Sequence, residues 1–104
     1  MRIVSTEHVE DRLIEKGEFV YAVAISGANI IRDMRETITN TIGGHMTRYE
    51  DLCNQTLDRA LASLKEKAAA TGYDGVLGVR IEHPAITQGA VSVVVFGTGF
   101  RYRD

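Results

Sequence analysis

The sequence is poor in the residues that build several common kinds of site. Its 104 residues include one cysteine, one proline and no tryptophan. A single cysteine makes no internal disulfide and no CxxC motif, which excludes redox and finger-type zinc motifs and agrees with a reducing compartment. No apolar run approaches the roughly 20 residues of a membrane span, and the first residues form no apolar signal segment. We therefore expect a cytoplasmic protein without a membrane partner.

The sequence also lacks an excess of positive charge. Twelve Lys and Arg residues stand against fourteen Asp and Glu residues, for a formal net charge of -2. Because no basic run or stripe could follow a phosphate backbone, we expect no nucleic acid partner. The motifs GxSxG, HExxH, GxGxxG and the phosphate-binding loop are all missing. The sequence thus predicts no catalytic residue and no cofactor.

Residues 47–71 have the spacing of one long amphipathic helix. Thr47 and Glu50 fit a capping box at its start, and Gly72 fits the left-handed position after its end. Apolar and small side chains recur every three or four residues on one stripe. The stripe consists of Tyr49, Leu52, Cys53, Thr56, Leu57, Ala60, Leu61, Leu64 and Ala68. A small domain buries a limited share of its surface, so we expect copies of the chain to cover this stripe in a homo-oligomer.

Alternating and β-branched segments predict strands on both sides of this helix. The predicted strands are 18–25, 75–82 and 91–100, together with a short strand at 1–5. The first of these, 18–25, is apolar on both faces. In 75–82, the side chains of Leu77, Val79 and Ile81 are expected to point inward. Residues 6–17 are expected to form a loop or a short helical turn. The last two strands are expected to pair antiparallel, and Gly78, Gly97 and Gly99 to mark bulges or close approach, for example of a crossing helix.

A second, shorter helix is expected before the long one. Asn29 can cap it, its apolar face includes Ile30 and Ile42, and Gly43 and Gly44 would end it. The order of elements predicts a single α+β domain over residues 1–104, with both helices on one face of a mostly antiparallel sheet.

Four segments occur in order at sensible spacing: GANIIRD at 27–33, IGG at 42–44, YE at 49–50 and LGVRI at 77–81. Together they resemble the YbjQ-like family of small bacterial and archaeal proteins, labelled heavy-metal-binding. The resemblance covers about residues 19–100, and residues 1–18 form an atypical N-terminal segment. It implies a dodecin-like α+β subunit and a ring-shaped homo-oligomer, usually a pentamer, with no established reaction.

The residues that match the family are the candidate ligand-binding residues, for an unidentified small ligand or ion. They are Asn29, Arg32, Asp33, Gly43, Gly44, Tyr49 and Glu50. Simpler structural uses stay open: a helix cap for Asn29, ion pairs for Arg32 and Asp33, and a turn rather than an anion-binding loop for the two glycines. The predicted pocket lies between the start of the long helix and the strands of a neighbouring subunit.

Cys53 and His45 are the candidate metal ligands. Eight helical residues would separate them by about 12 Å, too far to share an ion within one chain. A site would therefore need one Cys53 from each copy around a ring, and the alternative is that Cys53 is a small buried hydrophobe of the stripe. A further alternative is an enzyme whose site forms between subunits from Tyr49, Glu50 and His45.

Overall fold

The computed structural model describes residues 1–10, 12–27, 42–84 and 90–103, and their side chains except those of 42–49. Within these ranges the chain forms four strands and one helix. Their bounds are β1 Arg2–Ile3, β2 Ile14–Ser26, α1 Ile42–Ala70, β3 Gly75–Glu82 and β4 Val91–Tyr102. These elements confirm the predicted α+β class. The predicted first helix lies outside the described residues except for Ile42, which belongs to α1.

The four described strands form one mixed sheet in the order β1-β3-β4-β2. β4 pairs antiparallel with both β2 and β3, while β1 pairs parallel with β3. The antiparallel pairing of β3 with β4 and the short strand β1 are therefore confirmed. β2 lies at one edge of this sheet and is longer than predicted. Residues 14–16, expected in a loop, pair with the extended end of β4, as Lys16 does with Phe100.

The helix packs on one face of the sheet. Ala60, Leu64 and Ala68 are fully buried against the sheet, in a core that includes Ala22 and Val95. Three other members of the stripe are only half-buried, namely Cys53, Leu57 and Leu61. The expectation that a partner covers the stripe is therefore wrong for its buried members and stays a prediction for these three. Small side chains on β2 let the helix approach the strands closely, so that the sheet covers the buried part of the stripe.

The helix begins at Ile42, five residues before Thr47. The predicted capping box of Thr47 and Glu50 is therefore wrong, and so is the turn at Gly43 and Gly44. Glycine lowers helix propensity without forbidding helical backbone angles, so a pair of glycines need not end a helix. Both glycines lie in the first turn, where amides lack intrahelical acceptors, and the anion-binding alternative stays a prediction.

The helix ends in the hydrogen-bond pattern of a Schellman motif. Gly72 has a φ of +89°, as expected from the sequence. Its N–H donates to Ala69 O at 3.0 Å, and Tyr73 N–H donates to Ala68 O at 3.0 Å. This turn carries Tyr73 back beneath the end of the helix.

A bulge at Gly78 changes which side chains of β3 face the helix. Gly78 has a φ of +62°, and the register with β4 shifts between Leu77 and Arg80. Val76 and Val79 consequently both join the core under the helix, while Leu77 packs with Phe100 in a second cluster on the opposite face. The predicted bulge is confirmed. Leu77 is buried as predicted, but on the face opposite Val79, because the bulge resets the alternation. The predicted inward position of Ile81 is wrong, since this residue is 44% exposed.

Candidate functional site

A groove of about 440 Å³ opens between the end of α1 and the free edge of β2. It combines aromatic, hydroxyl and charged groups. The residues that line it are Glu18, Phe19, Val20, Tyr21, Lys67, Ala70, Thr71 and Tyr73. The groove lies at the end of the long helix, whereas the sequence placed a pocket at its start. That predicted pocket between subunits stays a prediction.

Tyr73 forms the back of the groove. Its side chain is 6% exposed, and its ring fits over the backbone of Gly17 and Gly99, which have no side chains to obstruct it. Tyr73 Oη accepts a hydrogen bond from Glu18 N–H at 2.7 Å. None of the described residues accepts a hydrogen bond from Tyr73 Oη, so its proton is available to a group in the groove.

Lys67 brings a positive charge to the groove. Its Nζ donates to Tyr21 O at 3.1 Å and lies 4.7 Å from the centroid of the Tyr21 ring. Within the described ranges, no carboxylate pairs with this ammonium group. An ammonium group carries three N–H donors, so two remain for a ligand or for water.

Arg101 compensates the negative end of the helix beside the groove. Its Nε donates to Gly72 O at 3.1 Å, and its Nη2 donates to Thr71 O at 3.1 Å. The guanidinium also lies 4.6 Å from the centroid of the Tyr73 ring. Because the carbonyl groups after a helix carry partial negative charge, these bonds reduce the repulsion that an anion would meet here.

The outer face of β2 carries a row of exposed apolar side chains, here called the outer row. It consists of Phe19, Tyr21, Val23 and Ile25, which are 64%, 53%, 47% and 47% exposed. The rings of Phe19 and Tyr21 stack at a centroid distance of 5.9 Å, and Phe19 also contacts the ring of Phe96 at 5.9 Å. The first two residues of the outer row also line the groove.

Two basic side chains of the helix reach the free edge of β2. Arg59 Nη2 donates to Ile25 O at 2.9 Å, as Lys67 Nζ does to Tyr21 O. Eight residues of helix rise about 12 Å, and four residues of strand rise about 13 Å. The helix therefore runs antiparallel to β2 with matched spacing, and each cation meets one carbonyl of the edge.

None of the predicted ligand residues is among the described residues that line this groove. Asn29, Arg32 and Asp33 lie outside the described residues. Gly43, Gly44, His45 and Tyr49 lie in the first part of α1, and Glu50 is exposed on the same helix. The groove residues Lys67 and Tyr73 gave no motif in the sequence. The sequence contains one signal of an exposed surface on β2: the segment 18–25 is apolar on both faces, and a single helix can cover only one of them.

Cys53 is half-buried on α1, neither fully buried nor freely exposed. Within the part of the chain that is described, no group of three or more His, Cys, Asp and Glu side chains could hold a metal ion. The side chain of His45 is not among those described. Metal binding through Cys53 or His45 therefore stays a prediction.

The fold defines a small α+β protein in which one long helix covers one face of a mixed sheet. The family model YbjQ_1, described as "Putative heavy-metal-binding", matches residues 1–103, and the chain belongs to this family. The match confirms the resemblance found in the sequence, and it includes residues 1–18.

Relatives from several bacteria have the same length. A UPF0145 protein of Haemophilus ducreyi is 36% identical over 96 residues, which is 91% of each chain. A UPF0145 protein of Bacillus cereus is 29% identical over 97% of this chain and 99% of its own. A crystal structure of a DUF74 family protein of unknown function from Pediococcus pentosaceus has 18% identity and a TM-score of 0.68, and covers 98% of this chain and 97% of its own. This likeness supports the fold.

Proposed function

We propose that this protein is a non-enzymatic cytoplasmic scaffold that binds a small ligand or ion between copies of itself in a ring-shaped homo-oligomer, a pentamer. The observation that carries the proposal is that Phe19 and Tyr21 belong both to the outer row and to the groove. A copy that packs on the outer row would therefore also form a wall of the groove. The ligand would then sit at a subunit boundary.

The outer row supports association because its side chains are apolar and open to water. Phe19, Tyr21, Val23 and Ile25 are neighbours on one strand, and contiguous exposed apolar patches usually mark interaction surfaces. The family resemblance supports a ring of identical copies.

Light scattering coupled to size-exclusion chromatography tests the assembly. We expect a particle of five times the 11.5 kDa mass of one chain at micromolar concentration. A protein that stays monomeric at this concentration would contradict the proposal. Among the described residues, no helix is long and apolar enough to cross a membrane.

Heavy-metal binding is a second candidate function. The family description names it, and the half-buried position of Cys53 favours it over a purely structural cysteine. Because one chain has one cysteine, the site would join Cys53 side chains from several copies. Thiolates are soft ligands that suit ions such as Cd²⁺ and Zn²⁺.

The rate at which Cys53 reacts with a thiol reagent tests this second candidate. If copies share a metal through Cys53, Cd²⁺ should slow the reaction of the native protein and leave that of the denatured protein nearly unchanged. Cys53→Ser should abolish Cd²⁺ binding measured by calorimetry. Equal native rates with and without Cd²⁺ would contradict a metal site at Cys53.

A further inference from the structure

We propose that the ligand of the groove is a small carboxylate with a flat, apolar body. This inference deepens the proposed function and rests on its claim that the protein binds a small ligand. It concerns the groove of Phe19, Tyr21, Lys67 and Tyr73, which exists within one chain.

Lys67 provides the charge that selects an anion. Its Nζ is anchored by Tyr21 O at 3.1 Å and keeps two further N–H donors. The described residues offer no carboxylate partner to this group. Hydrogen bonds between an ammonium group and a carboxylate are stronger than those between neutral groups, so an acid gains more here than its amide or alcohol would.

Tyr73 provides a second donor, whose proton no described residue accepts. The residue is 6% exposed, and its Oη accepts from Glu18 N–H at 2.7 Å, which fixes the position of the hydroxyl. Buried polar groups are nearly always hydrogen-bonded, and a donor without an acceptor costs stability. A carboxylate has acceptor sites for both Tyr73 and Lys67, so it satisfies both donors together.

The aromatic pair provides the apolar surface. Phe19 and Tyr21 both line the groove, with ring centroids 5.9 Å apart and ring planes inclined by 29°. Flat rings stack on aromatic side chains at offset geometry. The volume of about 440 Å³ lies near the lower end of the usual range of small-molecule sites. These dimensions favour a compact ligand with one ring.

Glu18 is the group that opposes an anion. It lines the groove and is exposed, so its carboxylate is screened by water. Lys67 lies at the same groove, and Arg101 compensates the end of the helix. We therefore expect Glu18 to weaken carboxylate binding without abolishing it, and Glu18→Gln to strengthen it.

A titration of the full chain with benzoate tests the inference, and the amide chemical shifts of residues 18–21 and 67–73 report binding. Benzamide has the same flat body without charge, and cyclohexanecarboxylate has the charge without a flat body. We expect benzoate to shift these amides and to bind more tightly than both. Lys67→Gln should weaken benzoate binding about tenfold or more, since a charge-assisted hydrogen bond is lost. Lys65→Gln, an exposed change on the same helix, should leave binding unchanged.

The inference is overturned if benzoate shifts no amides of the groove, if benzamide binds equally well, or if Lys67→Gln binds as the parent does. The mass measured by light scattering separates this failure from that of the proposed assembly. An intact oligomer without benzoate binding refutes only the ligand class. A monomer that binds benzoate refutes the assembly and supports the groove.

Discussion

The ring of Tyr73 occupies the space that a side chain at Gly99 would need. A Cβ atom built on Gly99 would lie closer to the Cδ2, Cε2 and Cγ atoms of Tyr73 than any real contact allows. Gly17 stands in the same relation to the opposite part of the ring, near Cε1, Cζ and Oη. Gly17 and Gly99 lie on neighbouring strands, and their lack of side chains leaves the space that the Tyr73 ring fills at the back of the groove.

Gly99→Ala should destabilise the fold. The new methyl group must displace a buried ring, and overpacking of this kind costs about 1–3 kcal/mol. Urea unfolding at fixed protein concentration measures the change as a lower midpoint with an unchanged slope. Gly27→Ala is the matched control, because nothing lies within 4 Å of a Cβ there, and it should change stability little. Equal midpoints for the two variants would show that Tyr73 does not need Gly99.

Gly78→Ala should also be destabilising, for a different reason. No atom lies within 4 Å of a Cβ at this position, but its φ of +62° is unfavourable for residues with a side chain. The expected loss in the free energy of unfolding is about 1–2 kcal/mol. Gly78→Asn should lose less, since asparagine tolerates this conformation better than alanine. If Ala and Asn cost the same, backbone strain is not the cause.

The buried hydroxyl pair of Ser26 and Thr56 should contribute to stability as a unit. Their oxygens lie 2.6 Å apart, Thr56 Oγ1 also donates to Leu52 O at 2.7 Å, and Arg59 Nη2 lies 3.4 Å from Ser26 Oγ. Thr56→Val should cost about 1–3 kcal/mol because it leaves the Ser26 hydroxyl poorly paired. Ser26→Ala in addition should cost less than the sum of the single changes. Strict additivity of the three unfolding energies would contradict the pair.

Val23→Lys should weaken association while the chain still folds. Val23 lies in the middle of the outer row and is 47% exposed, so lysine is tolerated in a single chain. In the proposed interface its charge would be buried without a partner, and we expect the dissociation constant to rise about tenfold or more. Sedimentation velocity over a dilution series measures this. Asn54→Lys is the control, because it adds the same charge on the exposed side of the helix and should leave assembly unchanged. Equal dissociation constants for both variants would show that the outer row is not part of the interface.

Local patterns predicted the elements whose signals are local. The bounds of β3, 75–82, follow from its alternation and from Pro84 shortly after it, and the end of the long helix follows from Gly72. Residues 14–17 contain charge and glycine, which favour a loop, whereas the pairing of residues 14–16 with β4 depends on residues more than 80 positions away. The predicted start of α1 at Thr47 is later than the observed start at Ile42, because the capping-box pattern and the pair of glycines both favour a break before Thr47.

The groove could not be predicted because it depends on contacts between distant segments. Glu18 and Tyr73 are 55 positions apart in the sequence, and Gly99 contributes only by lacking a side chain. The exposed face of β2 was visible in the sequence as a second apolar face. Among the residues with described side chains, the outer row of β2 is exposed, whereas the members of the helix stripe are buried or half-buried.

The contacts of Arg59 and Lys67 with Ile25 O and Tyr21 O also bear on aggregation. A strand of thirteen residues at the rim of a sheet is a template on which foreign β-strands can add without limit. Here an incoming strand would first have to displace two ammonium or guanidinium groups from the carbonyls that it needs. These two contacts therefore oppose growth through the backbone at this edge and leave the side chains of the outer row as the surface of the proposed assembly.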